Sequence, residues 1–461
     1  MKKRDKEKNS LLNRSVVKKQ KAYIAWRIIA GQAVIVNLQM GIFNVLNPVA
    51  TRIWELADGQ MGIEEISQRI YQEFEISRNT ARIDCLELIN QLLSKGLVTL
   101  FPAQERNEEE QQEWDEYDKE LFKTLREKVV EKKIPLMSHF DLTYHCNLRC
   151  AHCYIVSEDR PELRTSEIKD ILDQLAKAGT LYLTLSGGEL MTRKDFFEIA
   201  FYARELDFAL RLLTNGILID EKTADKIALL HPELVAISIY SINPKVHDGI
   251  TKVSGAFQKS LAAAKMLKER GVRLKISTVI IRQNIKDWHS IYQLAQELGA
   301  QFQADYRIAP KSNGNKYPLR FHIDDIYLPS LLANPIFTKE TDLDLQERGY
   351  TSIFDTIPCG AGHMSCYISP YGDIYPCVQL PINCGNLRQK LFTEIWENSS
   401  ELLQFRSITL SQLPKCFECT FFQYCRLCIG LNYVEEGDMF LPSKRACKEA
   451  ELMETLGVRR R

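Results

Sequence analysis

The sequence lacks an excess of charge of either sign and lacks any long apolar run. Its 60 basic residues are balanced by 60 acidic ones, so composition gives no indication of a surface for nucleic acid. No apolar stretch approaches the roughly 20 residues that a membrane-spanning helix needs. The basic segment 1–8 is followed by no apolar core of a signal peptide. These absences predict a cytoplasmic protein with neither nucleic-acid nor membrane partners.

The remaining composition is that of an ordinary globular protein. Apolar residues make up 45% and charged residues 26% of the 461 positions. On a prior of about 150 residues per domain, this length predicts about three domains.

Cysteine is abundant, and its positions indicate metal binding rather than disulfides. Without an export signal, the thirteen thiols are expected in a reducing compartment, where clustered cysteines bind metal. Cys85 lies at an apolar position of a predicted helix and is expected to be a core residue. Most of the others fall into two groups, one near residue 150 and one after residue 358.

The first group lies in the segment Tyr144–Tyr154 and has the spacing C-x3-C-x2-C. Three thiolates are one too few for a cubane of four irons, so a 4Fe–4S cluster held by them keeps one iron open to an outside ligand. Residues 139–144 alternate in polarity and predict a strand that carries the cysteines at its C-terminal end. The predicted ligands are Cys146, Cys150 and Cys153.

This spacing, with His152 before the last cysteine and Tyr154 after it, resembles the signature of the radical S-adenosylmethionine (SAM) enzymes. In that family the amine and carboxylate of SAM chelate the open iron. The resemblance implies that His152 and Tyr154 lie at the SAM site. A structural zinc site is the alternative, with His145 or His152 as its fourth ligand.

After the cysteine loop, strand-like and helix-like segments alternate. The predicted strands are 181–185, 210–214, 234–239, 274–281 and 302–308, and the predicted helices are 166–178, 195–206, 221–230, 256–270 and 286–298. With the strand before the cysteines these make six βα units, and right-handed crossovers make the sheet parallel. The predicted fold class is α/β, a partial (β/α)6 barrel of the TIM type over residues 136–310.

Two loops at predicted strand ends resemble SAM-binding motifs of the family. The first is the Gly-Gly-Glu motif, in which the glycines let backbone groups approach the methionyl ammonium of SAM and the carboxylate counters its charge. Here the motif consists of Gly187, Gly188 and Glu189. By the same resemblance, the methionine and ribose portions of SAM are contacted by Thr214, Asn215 and Ser238.

Residues 21–101 are predicted to form a separate small domain. Three short strands precede a helix opened by Asn47 and Pro48, and two more helical periods follow. The segment resembles the PqqD-like precursor-peptide recognition element of ribosomal peptide maturation, a winged-helix module whose exposed edge strand pairs with an extended leader peptide. A DNA-binding or purely structural winged helix is the alternative, although no stripe of basic residues follows any helix.

Three segments connect or flank these regions. Residues 1–20 are expected to be a frayed tail. The acid-rich and mixed-charge segment 102–135 predicts a solvated linker helix. Residues 311–356 are expected to bridge to the last domain or to cover the substrate.

Residues 357–461 hold the second cysteine group and resemble the SPASM extension of radical SAM peptide maturases, which binds two auxiliary 4Fe–4S clusters. Matching by position implies that the first of these clusters is held by Cys359, Cys366, Cys377 and Cys428. It implies that the second is held by Cys416, Cys419, Cys425 and Cys447. The gap before Cys428 is one residue shorter than usual; without Cys428 the first auxiliary cluster would be three-coordinate and open to a substrate thiolate. Two zinc sites are the alternative.

Taken together, these features most resemble maturases that join sulfur to carbon, of the sactipeptide and ranthipeptide type. The resemblance implies an oxidoreductase that cleaves SAM to a 5'-deoxyadenosyl radical and installs a thioether in a ribosomally made precursor peptide. It also implies three 4Fe–4S clusters and a flavodoxin or ferredoxin as electron donor. Cys384 is a minor candidate for hydrogen-atom donation or substrate binding, and no other catalytic residue is identified.

Several other reactions fit the same resemblance. Carbon–carbon cross-linking, epimerisation and backbone excision are compatible with the same fold and clusters. Oxidation of a Cys or Ser of another enzyme to formylglycine is a further alternative, although that reaction needs no leader-binding domain. A non-catalytic iron–sulfur redox regulator of transcription is the alternative from a different class.

Overall fold

The computed structural model describes residues 15–101, 116–338 and 357–458, with the side chains of 116–123 and 338 excepted. The predictions for 1–14, 102–115 and 339–356 lie outside these ranges. The predicted tail was wrong at its C-terminal end, because Val16–Lys19 form a strand that pairs with two others. Contacts divide the chain into two units, the first reaching Lys132 and including Asp207–Ala209, the second comprising the rest.

The described residues of the first unit form two three-stranded antiparallel sheets and four α-helices. The three strands predicted from the sequence form one sheet, and three strands that were not predicted form the other in the order β5-β1-β6. The strands are β1 (Val16–Lys19), β2 (Ile24–Ile29), β3 (Gln32–Asn37), β4 (Ile42–Val45), β5 (Asp58–Gly62) and β6 (Val98–Phe101). The helices are α1 (Pro48–Leu56), α2 (Ile63–Glu73), α3 (Arg78–Ser94) and α4 (Glu116–Glu131).

Helix α1 begins as its sequence indicates and fills the core of this unit. The Asn47 side chain accepts the backbone N–H of Ala50 at 2.9 Å, and Pro48 occupies the first turn, where its missing N–H costs nothing. Trp54 is fully buried, with its ring 6.0 Å from that of Trp26. The prediction that Cys85 is a core residue is confirmed, since its side chain is fully buried. The winged-helix assignment stays a prediction.

The second unit is built on a parallel sheet, as predicted. Six strands follow one another as neighbours from β7 to β12, all parallel. They are β7 (Met137–Thr143), β8 (Tyr182–Gly187), β9 (Ala209–Thr214), β10 (Leu234–Ser238), β11 (Leu274–Val279) and β12 (Gln301–Asp305). The helices between them are α5 (Thr165–Lys177), α6 (Phe196–Glu205), α7 (Glu221–Leu229), α8 (Pro244–Thr251), α9 (Ala256–Glu269) and α10 (Trp288–Glu297).

The C-terminal region extends this sheet, which the sequence did not predict. Strand β13 (Ser365–Ile368) pairs in parallel with β7, and β14 (Asp373–Tyr375) and β15 (Gly385–Asn386) follow it. The remaining helices are α11 (Leu328–Leu332), α12 (Pro335–Thr338), α13 (Phe392–Asn398), α14 (Ser400–Arg406), α15 (Pro414–Phe417), α16 (Ile429–Glu436) and α17 (Lys444–Thr455). The bridging segment packs through α11 against α17, around Leu328 and Met453.

Candidate metal and cofactor site

The first three cysteines lie on the loop that leaves the C-terminal end of β7. Backbone N–H groups of this loop donate to the last carbonyls of α8, from Arg149 to Thr251 and from Ala151 to Ile250, both at 3.0 Å. A helix end leaves its last carbonyls without intrahelical partners, so α8 supplies fixed acceptors for the loop. The loop is therefore held at both ends, by the strand and by the helix.

The three thiols lie close enough to influence one another electrostatically. Burial, together with the neighbouring Cys153 and Cys146, raises the pKa of Cys150 to about 12. The backbone N–H of Leu148 donates to the sulfur of Cys146 at 3.4 Å. Because three thiolates in one partly buried loop repel each other, this set is stable in ionised form only around a positive centre such as a cluster of irons.

The two glycines of the Gly-Gly-Glu motif give the cysteine loop room to cross the end of β8. A Cβ atom added to Gly187, whose φ is +132°, would lie 2.1 Å from the carbonyl oxygen of Thr143. A Cβ added to Gly188 would lie 2.3 Å from the carbonyl oxygen of His145. The N–H of Gly188 donates to the Thr143 oxygen at 2.7 Å. The glycines thus set the position of the cysteine loop.

Glu189 is a buried carboxylate surrounded by neutral donors. It receives the Thr214 hydroxyl at 2.7 Å, the Asn215 N–H at 2.7 Å and the Met191 N–H at 3.2 Å, and its side chain is 1% exposed. Burial raises its pKa, which the three hydrogen bonds partly oppose. A carboxylate offers about four lone-pair sites, so one stays available here. This environment suits a cationic ligand such as the ammonium group of SAM.

Asn215 connects the end of β9 to the cysteine loop. Its amide nitrogen donates to the Asn147 side-chain oxygen at 2.7 Å and lies 4.0 Å from the sulfur of Cys146. Its carbonyl accepts the Ser260 hydroxyl at 2.7 Å. Asn147 was not predicted as a site residue, although its place between two ligands was a signal for it.

His152, Tyr240 and Ser238 form a group beside Cys150. The rings of His152 and Tyr240 meet edge to face with centroids 4.8 Å apart. Burial raises the pKa of Tyr240, and Cys150 and Ser238 are near enough to influence it. The Nδ1 atom of His152 is buried without a hydrogen-bond partner, and burial lowers the pKa of this histidine to about 4. Buried polar atoms without a hydrogen-bond partner are rare, so this Nδ1 atom fits a site in which a polar group of a ligand supplies the partner.

A buried polar network adjoins the loop and was missed from the sequence. Asp141 is fully buried and accepts from the Tyr367 hydroxyl at 2.9 Å, while His139 contacts its other oxygen at 3.0 Å. The hydroxyls of Tyr367 and Tyr144 are 2.6 Å apart. Tyr154, beside Cys153, is half-buried, and its burial and the charge of Asp141 raise its pKa. Polar residues at alternate positions of β7 were the available signal.

The structure brings together all four cysteines predicted for the second auxiliary cluster. They line one cavity of about 560 Å³, together with aromatic and aliphatic side chains that include Phe421 and Ala450. Burial raises the pKa values of Cys416, Cys425 and Cys447, and in each case neighbouring thiols of the set contribute to the increase. The four are Cys416, Cys419, Cys425 and Cys447. A cavity of this lining and size fits a 4Fe–4S cluster with four thiolate ligands.

Three of the four cysteines predicted for the first auxiliary cluster are also close together. Burial raises the pKa of Cys377 to about 12, and the next largest influences are Cys359 and Cys428. The fourth, Cys366, contacts the Ser138 hydroxyl at 3.3 Å instead. Cys384 is buried, and burial raises its pKa to about 12, with Cys366 among the smaller causes.

No three or more His, Cys, Asp or Glu side chains among the described residues converge tightly enough to hold a single metal ion. The thiolates that bind a four-iron cluster lie farther apart than the ligands of a single ion. The absence of such a tight group therefore bears on single metal ions and not on clusters. Of the histidines proposed for a zinc site, His145 is exposed and His152 packs on Tyr240. No helix in the described part of the chain has the length and apolar character to cross a membrane.

Three regions of this chain match the models of known protein families. Family models match for the radical SAM superfamily (141–295), coenzyme PQQ synthesis protein D (32–98) and an iron–sulfur cluster-binding domain (359–420). The AdoMet-dependent heme synthase of Methanosarcina barkeri is 30% identical over 330 residues, 66% of this chain and 94% of that protein. The mycofactocin maturase MftC of Mycobacterium tuberculosis is 30% identical over 306 residues, 63% of this chain and 77% of that protein.

A solved structure agrees on the fold. The crystal structure of Streptococcus suis SuiB bound to precursor peptide SuiA superimposes with a TM-score of 0.61 at 19% identity, covering 94% of this chain and 100% of that one. Superfamily membership implies SAM and a 4Fe–4S cluster, and the cysteine loop and Glu189 fit both. The chain belongs to the radical SAM superfamily, with a PqqD-type domain before the catalytic barrel and an iron–sulfur cluster-binding domain after it.

Proposed function

We propose that this enzyme modifies a ribosomally made precursor peptide and installs a thioether between a cysteine sulfur and a carbon atom. The observation that carries the proposal is the presence, in one chain, of a PqqD-type domain, a radical SAM barrel and a C-terminal region with two convergent cysteine sets. When bound, SAM and its cluster supply a 5'-deoxyadenosyl radical that removes a hydrogen atom from the substrate.

The residues of this chain have separate tasks in this proposal. The cysteine trio would hold the SAM cluster. The carboxylate of Glu189, whose neutral donors leave its charge uncompensated, would counter the charge of the SAM ammonium. Asn215 and Ser238 contact the methionine and ribose portions, and His152 and Tyr154 border the same site. The apolar packing of His152 against Tyr240 excludes water from this side.

The first unit is proposed to bind the leader segment of the peptide. In the sheet β2-β3-β4 the outer strands are β2 and β4, and on β2 the side chain of Ile28 is 39% exposed. An outer strand can add an extended peptide through backbone hydrogen bonds, with exposed apolar side chains giving specificity. The fold likeness to a maturase solved with its precursor peptide supports this role.

Heme synthesis is the second candidate, because the heme synthase relative is matched over 94% of its length. That match leaves about a third of this chain unaccounted for. The PqqD-type domain at residues 32–98 favours a peptide over a tetrapyrrole. Assays for heme and for peptide modification with the same preparation decide between the two.

The test uses the full-length enzyme rebuilt anaerobically with iron and sulfide. It is mixed with SAM, a strong reductant or reduced flavodoxin or ferredoxin, and a candidate precursor peptide that contains cysteine, sought among short reading frames near the gene. Thioether formation predicts a product lighter by two hydrogen atoms that no longer reacts with iodoacetamide. Carbon–carbon cross-linking gives the same mass loss with free thiols, and epimerisation leaves the mass unchanged. Absence of 5'-deoxyadenosine would overturn the proposal. DNA binding in a gel-shift assay without SAM cleavage would favour a regulator instead.

A further inference from the structure

We propose that Arg307 is a positioning residue for the second auxiliary cluster. Its guanidinium holds the loop from Cys425 to Cys428 in place, and its positive charge stabilises the reduced state of the cluster. The site of this cluster is the cavity lined by Cys416, Cys419, Cys425 and Cys447. Neither part of this role depends on which substrate the enzyme modifies.

The loop from Cys425 to Cys428 carries one thiol of each auxiliary cysteine set. Cys425 lines the cavity of the second set, and Cys428 lies near enough to Cys377 of the first set to influence its pKa. Only Arg426 and Leu427 separate the two thiols along the chain. A group that fixes the backbone between them therefore fixes the position of a ligand in each set.

Arg307 reaches this loop from the C-terminal end of the last barrel strand. It lies two residues after Asp305, the last residue of β12, and its side chain is 14% exposed. Its Nη1 atom donates to the backbone carbonyl of Arg426 at 3.1 Å. The barrel thereby supports the ligand loop from the strand end at which barrels of this type carry their chemistry.

Glu449 of α17 fixes the direction of the guanidinium. Its Oε2 atom accepts from the Nε atom of Arg307 at 2.9 Å and from the Nη2 atom at 2.6 Å, and the carboxylate is almost fully buried. The same oxygen is 3.3 Å from the Tyr306 hydroxyl, and Oε1 accepts from Arg445 at 3.2 Å. Because a guanidinium is planar, these bonds leave its Nη1 atom directed at the loop carbonyl.

The charge of Arg307 acts on a ligand of the second set. Burial raises the pKa of Cys425 to about 11, and the guanidinium of Arg307 opposes this increase. A cation that favours the thiolate of Cys425 also favours any further negative charge placed at that sulfur or on the metal it binds.

Two more guanidinium groups lie on the other side of the loop. Arg426 and Arg445 line a small space beside Cys428, and among the described residues the Nε atom of Arg426 and an Nη atom of Arg445 have no hydrogen-bond partner although both are buried. Glu435, which lines the same space, accepts the Ser443 hydroxyl at 2.6 Å. Buried donors of this kind suit a region whose negative charge comes from a bound group.

Reduction gives a 4Fe–4S cluster one additional negative charge, so a nearby cation raises its reduction potential. In the proposed reaction a bond forms between sulfur and carbon. The hydrogen atom of the carbon passes to the 5'-deoxyadenosyl radical, the proton of the thiol passes to solvent, and one electron remains to be taken up. A raised potential suits the second cluster to receive that electron. This use rests on the proposed function, whereas the raised potential does not.

The test is a redox titration followed by electron paramagnetic resonance. It uses the full-length Cys146→Ala/Cys150→Ala/Cys153→Ala protein, which keeps only the auxiliary clusters. The signal of the second cluster is the one that disappears when Cys416→Ser is added.

Two substitutions separate the charge of Arg307 from its hydrogen bond. Arg307→Gln keeps an N–H donor for the Arg426 carbonyl and removes the charge, whereas Arg307→Lys keeps the charge. At the midpoint potential of the protein with Arg307, the ratio of reduced to oxidised second cluster is expected to fall about tenfold in Arg307→Gln and to change less than about twofold in Arg307→Lys. The tenfold figure is that of a unit charge about 10 Å away at an effective dielectric constant of about 20.

The control is Arg320→Gln, which removes an exposed arginine of the segment after β12 that stacks on Tyr317 at 4.9 Å. No shift is expected there, and iron content and circular dichroism are measured for every variant. An unchanged potential in Arg307→Gln with full iron content, or equal shifts in Arg307→Gln and Arg307→Lys, would overturn the role of the charge.

Iron loss has an equally clear reading. If Arg307→Gln loses the second cluster, its retention in Arg307→Lys supports the proposal and its loss from both variants overturns it. If the potentials shift as expected while the complete enzyme forms no thioether, the proposed function fails and the role of Arg307 stands.

Discussion

Replacing Gly188 with alanine is expected to displace the cysteine loop and release the SAM cluster. The new Cβ would lie 2.3 Å from the His145 carbonyl oxygen and 2.7 Å from the Tyr144 oxygen. Both atoms belong to the backbone, so a side-chain rotation cannot relieve the clash. The loop or the end of β8 must move.

The magnitude follows from the contacts involved. Overpacking a close contact costs about 1–3 kcal/mol. Two hydrogen bonds cross the same contact, from Gly188 N–H to Thr143 at 2.7 Å and from Glu189 N–H to His145 at 2.9 Å. Their loss adds about 1 kcal/mol each. We therefore expect the free energy of unfolding to fall by about 3–5 kcal/mol.

The control is Gly249→Ala in α8, the helix that holds the other side of the loop. An added Cβ at Gly249 has no atom within 4 Å, so alanine there should stabilise the helix by about 0.5–1 kcal/mol. Urea denaturation, iron content and SAM cleavage are measured for both variants. A Gly188→Ala protein with wild-type stability and a full SAM cluster would refute this account of the motif.

Three further predictions concern other parts of the chain. Glu189→Gln leaves the Asn215 N–H facing an amide nitrogen, so the free energy of unfolding should fall by about 1–3 kcal/mol. SAM binding, measured by equilibrium dialysis, should weaken as well. Because burial raises the pKa of Glu189, its protonated form stabilises the native state at low pH. This stabilisation is lost as the pH rises through the raised pKa. The urea midpoints of the wild type and of Glu189→Gln should therefore converge with increasing pH. Trp54→Ala removes a fully buried ring that packs on Trp26 and should cost about 3–5 kcal/mol in the first unit, abolishing leader binding in a fluorescence titration while SAM cleavage continues. Cys416→Ser should lose up to about four irons and keep the SAM-cluster absorbance; full iron content would show that the cavity holds no cluster.

Much of the barrel could be predicted from the sequence because its strands are short apolar runs between helical periods. The strand predicted at 274–281 is observed as β11 at Leu274–Val279, and that predicted at 234–239 as β10 at Leu234–Ser238. Helix α8 was not predicted, although Asn243 followed by Pro244 is a helix start, and its last carbonyls hold the cysteine loop.

Long-range strand pairing and side-chain direction could not be predicted in this way. Strand β13 has four residues, and its partner β7 lies more than 200 positions earlier, so no local pattern encodes the pairing. The resemblance to the SPASM extension implied the members of the second auxiliary set, and these four cysteines line one cavity. It could not indicate that Cys366 faces Ser138, because the face of a strand residue depends on its register with the neighbouring strand.

The parallel pairing of β13 with β7 has a consequence for how the protein is made. Strand β7 begins at Met137, yet one of its neighbours is synthesised only at Ser365–Ile368. During translation one edge of β7 therefore stays unpaired until most of the chain has left the ribosome. A chain that stops before residue 365 would expose this edge to other molecules and aggregate. Removal of the last quarter of the sequence therefore does not leave a stably folded catalytic domain.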